Sequence, residues 1–111
     1  MIIDVAKQML HGLEQVHQTK FLHRDVKPDN FRVQDGKVFI TDFGTKWCYI
    51  DENTGGHISP DPKGSLTGTL NFMSIMTHKR HNQSRRDDLE CFGYAILFLL
   101  TDYGKFSWMQ L

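Results

Sequence analysis

Two cysteines, Cys48 and Cys91, are all the thiols the sequence holds. They stand far apart and form no Cys-x-x-Cys pair, so neither a zinc site nor a dithiol redox centre has a framework. Two free thiols in a reducing compartment are expected. Excess charge is missing too: thirteen Lys and Arg balance thirteen Asp and Glu. That balance removes any global pull toward nucleic acid or an anionic membrane surface. The apolar run Cys91 to Leu100 falls far short of the roughly 20 residues needed to span a bilayer. The opening Met1-Ile2-Ile3-Asp4 carries no basic region followed by a small-residue cleavage site. No signal peptide is therefore expected, and the expected compartment is cytoplasm or nucleus. With 111 residues the chain is at most one domain.

What is present is concentrated between residues 22 and 44. Leu22-His23-Arg24-Asp25-Val26-Lys27-Pro28-Asp29-Asn30 comes first, and Asp42-Phe43-Gly44 closes the stretch. Between them, Phe31 to Val33 and Lys37 to Thr41 read as short strands flanking Asp35-Gly36. That dipeptide is a two-residue hairpin signal because both central positions tolerate positive φ. The hairpin would bring Asn30 and Asp42 back to the same end. Phosphoryl transfer needs few protein groups: a carboxylate beside the attacking hydroxyl, a cation on the phosphate and oxygen ligands for Mg²⁺. Asp25 offers the carboxylate and Lys27 a point charge, while Asn30 and Asp42 offer hard oxygen ligands. A lone His-Arg-Asp triplet would be no more than a surface loop. With Lys and Asn at these offsets, and Asp-Phe-Gly after one hairpin, the set matches the protein kinase signature.

Lys27, two residues past Asp25, is the serine/threonine form of this loop. His23 to Phe31, the block Gln83-Ser84-Arg85-Arg86-Asp87-Asp88-Leu89-Glu90 and Leu66-Thr67-Gly68-Thr69 together resemble the casein kinase I family, over nearly the whole chain up to Trp108. The resemblance implies an α+β, protein-kinase-like fold in which residues 1–111 are a partial kinase domain. This would be a mainly helical C-terminal-lobe segment with a short β-hairpin. The N-terminal lobe, with its glycine-rich loop, strand lysine and helix glutamate, is absent from these residues. ATP and Mg²⁺ are the implied cofactors and protein Ser/Thr hydroxyls the acceptors, with no nucleic-acid or membrane partner and an oligomeric state left open.

On the family's register Asp25 and Lys27 are catalytic, Lys27, Asn30 and Asp42 hold the nucleotide, and Asn30 and Asp42 ligate magnesium. His23, packed inward, Arg24, Phe43, Gly44 and Asp88 support the site. Asp88 would hold the catalytic-loop backbone, with Asp87 and Glu90 more exposed. Thr69, Arg85 and Arg86 are candidate substrate contacts. Arg32 stands where the family has an apolar residue beneath the adenine ring; a buried guanidinium there is costly unless it is paired or reaches water. Asn71 stands where an arginine usually helps bind anions, and Met76 replaces an asparagine. Thr45 is a milder difference.

Around this stretch, Ile2, Val5, Met9, Leu13 and Val16, widened by Ala6 and Leu10, predict an amphipathic helix over residues 2–18. Residues 45–72 lack a sustained period and read as the activation segment, with Gly55-Gly56 a loop tip. Met73 to Thr77 predicts a short helical turn. His78-Lys79-Arg80-His81 with Arg85 and Arg86 forms a basic patch, either a solvated surface or a contact for phosphorylated or acidic side chains. Asp87 or Asp88 is expected to cap a helix over residues 89–100 that is apolar on almost every face. Thr101 to Leu111 reads as an exit loop anchored by Trp108.

Two readings stay open: a serine/threonine kinase, and a catalytically inactive remnant or pseudokinase that binds proteins. A nucleic-acid or metal module has only the basic patch and scattered histidines behind it. Residues 1–111 alone are expected to turn over little, lacking half of an ATP cradle, and to fold marginally because the apolar helix leaves surface uncovered.

Overall fold

Apolar side chains spaced three and four apart set the first element. A computed structural model describes residues 2–59 and 66–101, beginning with helix α1, Ile2–Gln18. Met9, Leu13 and Val16 turn inward, while Leu10 is exposed, so the buried stripe is narrower than the periodicity implied. Each fully buried side chain of this size contributes roughly 1.5–3 kcal/mol. The helix ends where Lys20 takes a left-handed φ of 72°. Strand β1, Phe21–Leu22, follows and pairs antiparallel with β4, Trp47–Cys48.

A 3-10 turn at Pro28–Asn30 leads into the expected hairpin. Strands β2, Phe31–Gln34, and β3, Lys37–Ile40, pair from Phe31 opposite Ile40 to Gln34 opposite Lys37. Asp35 and Gly36 have φ of 52° and 74°, the double left-handed turn that the Asp-Gly pair favours. Gln8 Oε1 accepts a hydrogen bond from the Val38 amide at 2.8 Å and fastens the hairpin to α1. Beneath it Leu13, Val26 and Cys91 form the core cluster, with Phe31, Ile40 and Phe92 packed against it.

Between β4 and the helices the described residues are irregular, apart from a bridge between Ile50 and His57 that closes over Gly55-Gly56. Helix α2 is one turn, Ile75–His78, capped by Ser74, whose hydroxyl accepts from the Thr77 amide. Helix α3 runs Arg85–Leu100 and therefore starts four residues ahead of the predicted 89. Its cap is Ser84, not an aspartate: the Asp87 carboxylate reaches back to the Ser84 amide at 2.7 Å, as the third residue of a capping box does. Asp87 is consequently buried, against the expectation that it would be exposed. The outer face of α3 presents Leu89, Leu97, Leu99 and Leu100 to solvent. Trp108 lies outside the described residues. Among those described, no helix is long and apolar enough to cross a membrane.

Candidate active site

Asp88 is the residue that fixes the loop after β1. It is fully buried, and its carboxylate accepts from the backbone amides of His23 at 2.9 Å and Arg24 at 3.0 Å. His17 Nε2 lies 2.8 Å from the same carboxylate, closing the loop between α1 and α3. Held this way, Arg24 takes a left-handed φ of 70°, a strained conformation for a side chain of its size. Its guanidinium donates to the Thr45 carbonyl at 2.7 Å and lies over the Trp47 ring. Burial lowers the Arg24 pKa, while the Asp88 charge opposes that effect.

His23 is fully buried. Its Nδ1 accepts from the Asp25 amide at 3.1 Å, so the ring proton sits on Nε2, which donates to the Thr41 carbonyl at 2.8 Å. Phe43 meets its edge at a centroid distance of 5.3 Å. The histidine thus ties the loop bearing Asp25 to the turn bearing Asp42 and Gly44. At the mouth of the hairpin, the Thr41 amide and hydroxyl both donate to the Asn30 carbonyl, at 2.7 and 3.1 Å. The two ends of the motif, Asn30 and Asp42, are thereby brought side by side along the backbone.

Three side chains converge on the Asp25 carboxylate. The Thr69 hydroxyl donates to Oδ1 at 2.7 Å. Asn30 Nδ2 donates to the Asp25 carbonyl at 2.7 Å and reaches Oδ2 at 3.3 Å. Lys27 Nζ stands 3.8 Å from Oδ2. Thr69 is delivered by Gly68, whose φ of 122° and close approach to the Arg24 carbonyl exclude a side chain: an added Cβ would sit 2.8 Å from that oxygen.

The donor set fits a magnesium-bound nucleotide. With its Nδ2 engaged at Asp25, Asn30 keeps its amide oxygen for a cation. Asp42 is exposed, at a φ of 63°. Both offer oxygen, as Mg²⁺ prefers. Among the described residues no cluster of three or more His, Cys, Asp or Glu could hold a metal by itself. Magnesium in such a site draws its remaining ligands from phosphates and water. The Arg32 guanidinium, a concern if buried beneath a base, instead points to solvent and donates to the carbonyls of Asp29 and Phe31.

Not every sequence candidate joins this cluster. Arg85 and Arg86 line a separate cavity at the start of α3. Conversely, His17 and Thr45 carried no signal in the motif. Thr45 accepts from Arg24 and donates its hydroxyl to the His23 carbonyl at 2.9 Å, so this departure from the family pattern is absorbed into the scaffold.

The sequence pattern of the protein kinase domain matches residues 1–110, and the chain belongs to the protein kinase family. Members of that family transfer phosphoryl groups to proteins with ATP and Mg²⁺.

Proposed function

We propose that the chain is a serine/threonine kinase segment of casein kinase I type, transferring the γ-phosphoryl group of ATP to Ser or Thr hydroxyls of proteins. The observation that carries this reading is the convergence of Thr69, Asn30 and Lys27 on Asp25. Thr69 holds Oδ1 firmly at 2.7 Å, whereas Oδ2 has only the longer contacts to Asn30 at 3.3 Å and Lys27 at 3.8 Å. Oδ2 is therefore the oxygen available to an incoming hydroxyl, which it orients and from which it takes the proton. Lys27, close to that oxygen, is placed to meet the negative charge of the transferring phosphate. Asn30 and Asp42 would hold Mg²⁺. Bound Mg-ATP supplies the phosphoryl group and neutralises charge as it moves.

The serine/threonine and casein kinase I assignments rest on Lys27 and on the Ser84-Arg85-Arg86-Asp87-Asp88 block. The capping role of Ser84 and the buried carboxylates of Asp87 and Asp88 give that block a structural reason. The direct test is phosphotransfer to Ser- and Tyr-containing peptides with wild type and Asp25→Asn. Magnesium-dependent transfer to serine that disappears in the variant supports the proposal. Turnover should be low, because residues 1–111 carry no glycine-rich loop or strand lysine to clamp the nucleotide. Transfer to tyrosine alone, or transfer unchanged by Asp25→Asn, contradicts it. The exposed leucines of α3 favour the second reading, an inactive kinase-fold module that binds proteins. A folded chain that does not bind Mg-ATP would select that reading.

A further inference from the structure

Gln83 is a long polar side chain with only 5% of its surface exposed, one residue ahead of the Ser84 cap of α3. Burying a carboxamide is unfavourable unless its groups find partners. Gln83 Nε2 donates to the Thr67 carbonyl at 2.9 Å, 16 residues earlier in the chain. A carbonyl only accepts, so this partner fixes which end of the amide faces it. Both residues line a narrow space shared with Arg24, Asp25, Gly68 and Thr69, which has no room for a water molecule. Solvent therefore does not share the contact.

The Thr67 carbonyl lies two residues ahead of the side chain that bonds the proposed base. Gly68, between them, has a φ of 122° and approaches the Arg24 carbonyl too closely for a Cβ. Thr69 then donates to Asp25 Oδ1 at 2.7 Å. The other end of this linkage is also fixed. Asp87 accepts from the Ser84 amide at 2.7 Å and from the Ser74 hydroxyl at 2.6 Å, which anchors the residue next to Gln83. Asp88 follows and accepts from the backbone amides of His23 and Arg24. The start of α3 thus sets both the loop that carries Asp25 and the segment that carries its hydroxyl partner.

We propose that Gln83 is a positioning residue for phosphotransfer: its amide holds Thr67 so that Thr69 meets Asp25 Oδ1 and leaves Oδ2 to the acceptor hydroxyl. This rests on the reading of Asp25 as the base. Gln83 acts through Thr69, not on the reacting groups themselves. A misplaced base costs rate without weakening nucleotide binding, so the effect falls on kcat. Asn30 takes its place from bonds to the Asp25 and Thr41 backbone instead, so the KM for Mg-ATP should not move.

The test is steady-state phosphotransfer to a serine peptide by the full chain, with Gln83→Met alone and combined with Thr69→Val. Gln83→Met keeps the length and loses the donor. It should lower kcat about five- to tenfold, the worth of one neutral hydrogen bond, at unchanged KM for Mg-ATP. In the Thr69→Val background the same substitution should change kcat by less than about twofold, because the link it acts through is already broken. Gln83→Glu has the same shape without an N–H; it should also lower kcat, and it carries the test if Gln83→Met does not fold. Wild-type kcat in both Gln83 variants overturns the proposal, as do losses that multiply in the double variant. Methyl NMR of Thr69 gives a readout that needs no turnover: its resonance and order parameter should change in Gln83→Met. Wild type that transfers no phosphoryl group would overturn the reading of Asp25, whereas an unmoved Thr69 methyl would overturn the role of Gln83 by itself.

Discussion

Thr69 donates its hydroxyl to Asp25 Oδ1 at 2.7 Å across 44 residues of sequence, joining the end of the activation segment to the loop that carries the proposed base. The bond fixes one carboxylate oxygen, while the other faces Asn30 and Lys27 at longer range. Thr69→Val keeps the shape and removes the donor. Phosphotransfer by this variant should fall on the order of tenfold, the worth of one hydrogen bond to a charged group, with Thr69→Ser restoring most of it. Unchanged rates in Thr69→Val would show that Asp25 is oriented without it.

Asp88 accepts two backbone amides and faces His17 at full burial. Asp88→Asn retains one acceptor oxygen and leaves the second amide facing a donor. A loss of about 3 kcal/mol in denaturant unfolding is expected, with the largest amide-exchange changes at His23 and Arg24.

Gly68 and Gly36 both have positive φ, yet they should answer differently to alanine. At Gly68 the new methyl carbon would lie 2.8 Å from the Arg24 carbonyl, whereas at Gly36 nothing stands within 4 Å. Gly68→Ala should cost about 1–3 kcal/mol and displace Thr69 from Asp25. Gly36→Ala should cost no more than about 1 kcal/mol. Equal melting temperatures for the two variants would contradict the packing described.

Burial, reinforced by the Asp88 charge, pushes the Cys91 thiol from its ordinary 9.0 up to about 12. The folded state therefore holds a proton that the unfolded chain releases above pH 9. Its contribution is complete below that pH and is lost as pH rises toward 12. Cys91→Ala should flatten the alkaline limb of the stability profile, at the cost of some core packing. Alkylation of the native protein should proceed at Cys48 well before Cys91.

The residues that speak through local rules were legible in advance. Asp35-Gly36 announced its own turn, the spacing of Met9, Leu13 and Val16 announced α1, and the two motif blocks announced the loop around Asp25. Asp87 is buried against expectation because its partners are the Ser84 amide, in a cap five residues upstream of the predicted helix start, and Ser74, the cap of α2 thirteen residues away. His17 was passed over because its partner lies 71 residues away, in a different helix. Arg32 looked costly only on the assumption that its side chain follows the strand inward. It turns instead to solvent and to carbonyls next to it in sequence. Leu10 fits the helical period, but nothing among the described residues covers it.

The central claim is that Asn30 and Asp42 hold Mg-ATP over Asp25. A thermal melt of the purified chain, with and without saturating Mg-ATP and beside an Asp42→Asn control, tests it most directly. A ligand at a hundredfold excess over its dissociation constant stabilises by about 2.7 kcal/mol. A clear upward shift for wild type is therefore predicted, vanishing without magnesium and in Asp42→Asn. No shift at saturating Mg-ATP, or the same shift in the control, would contradict the account.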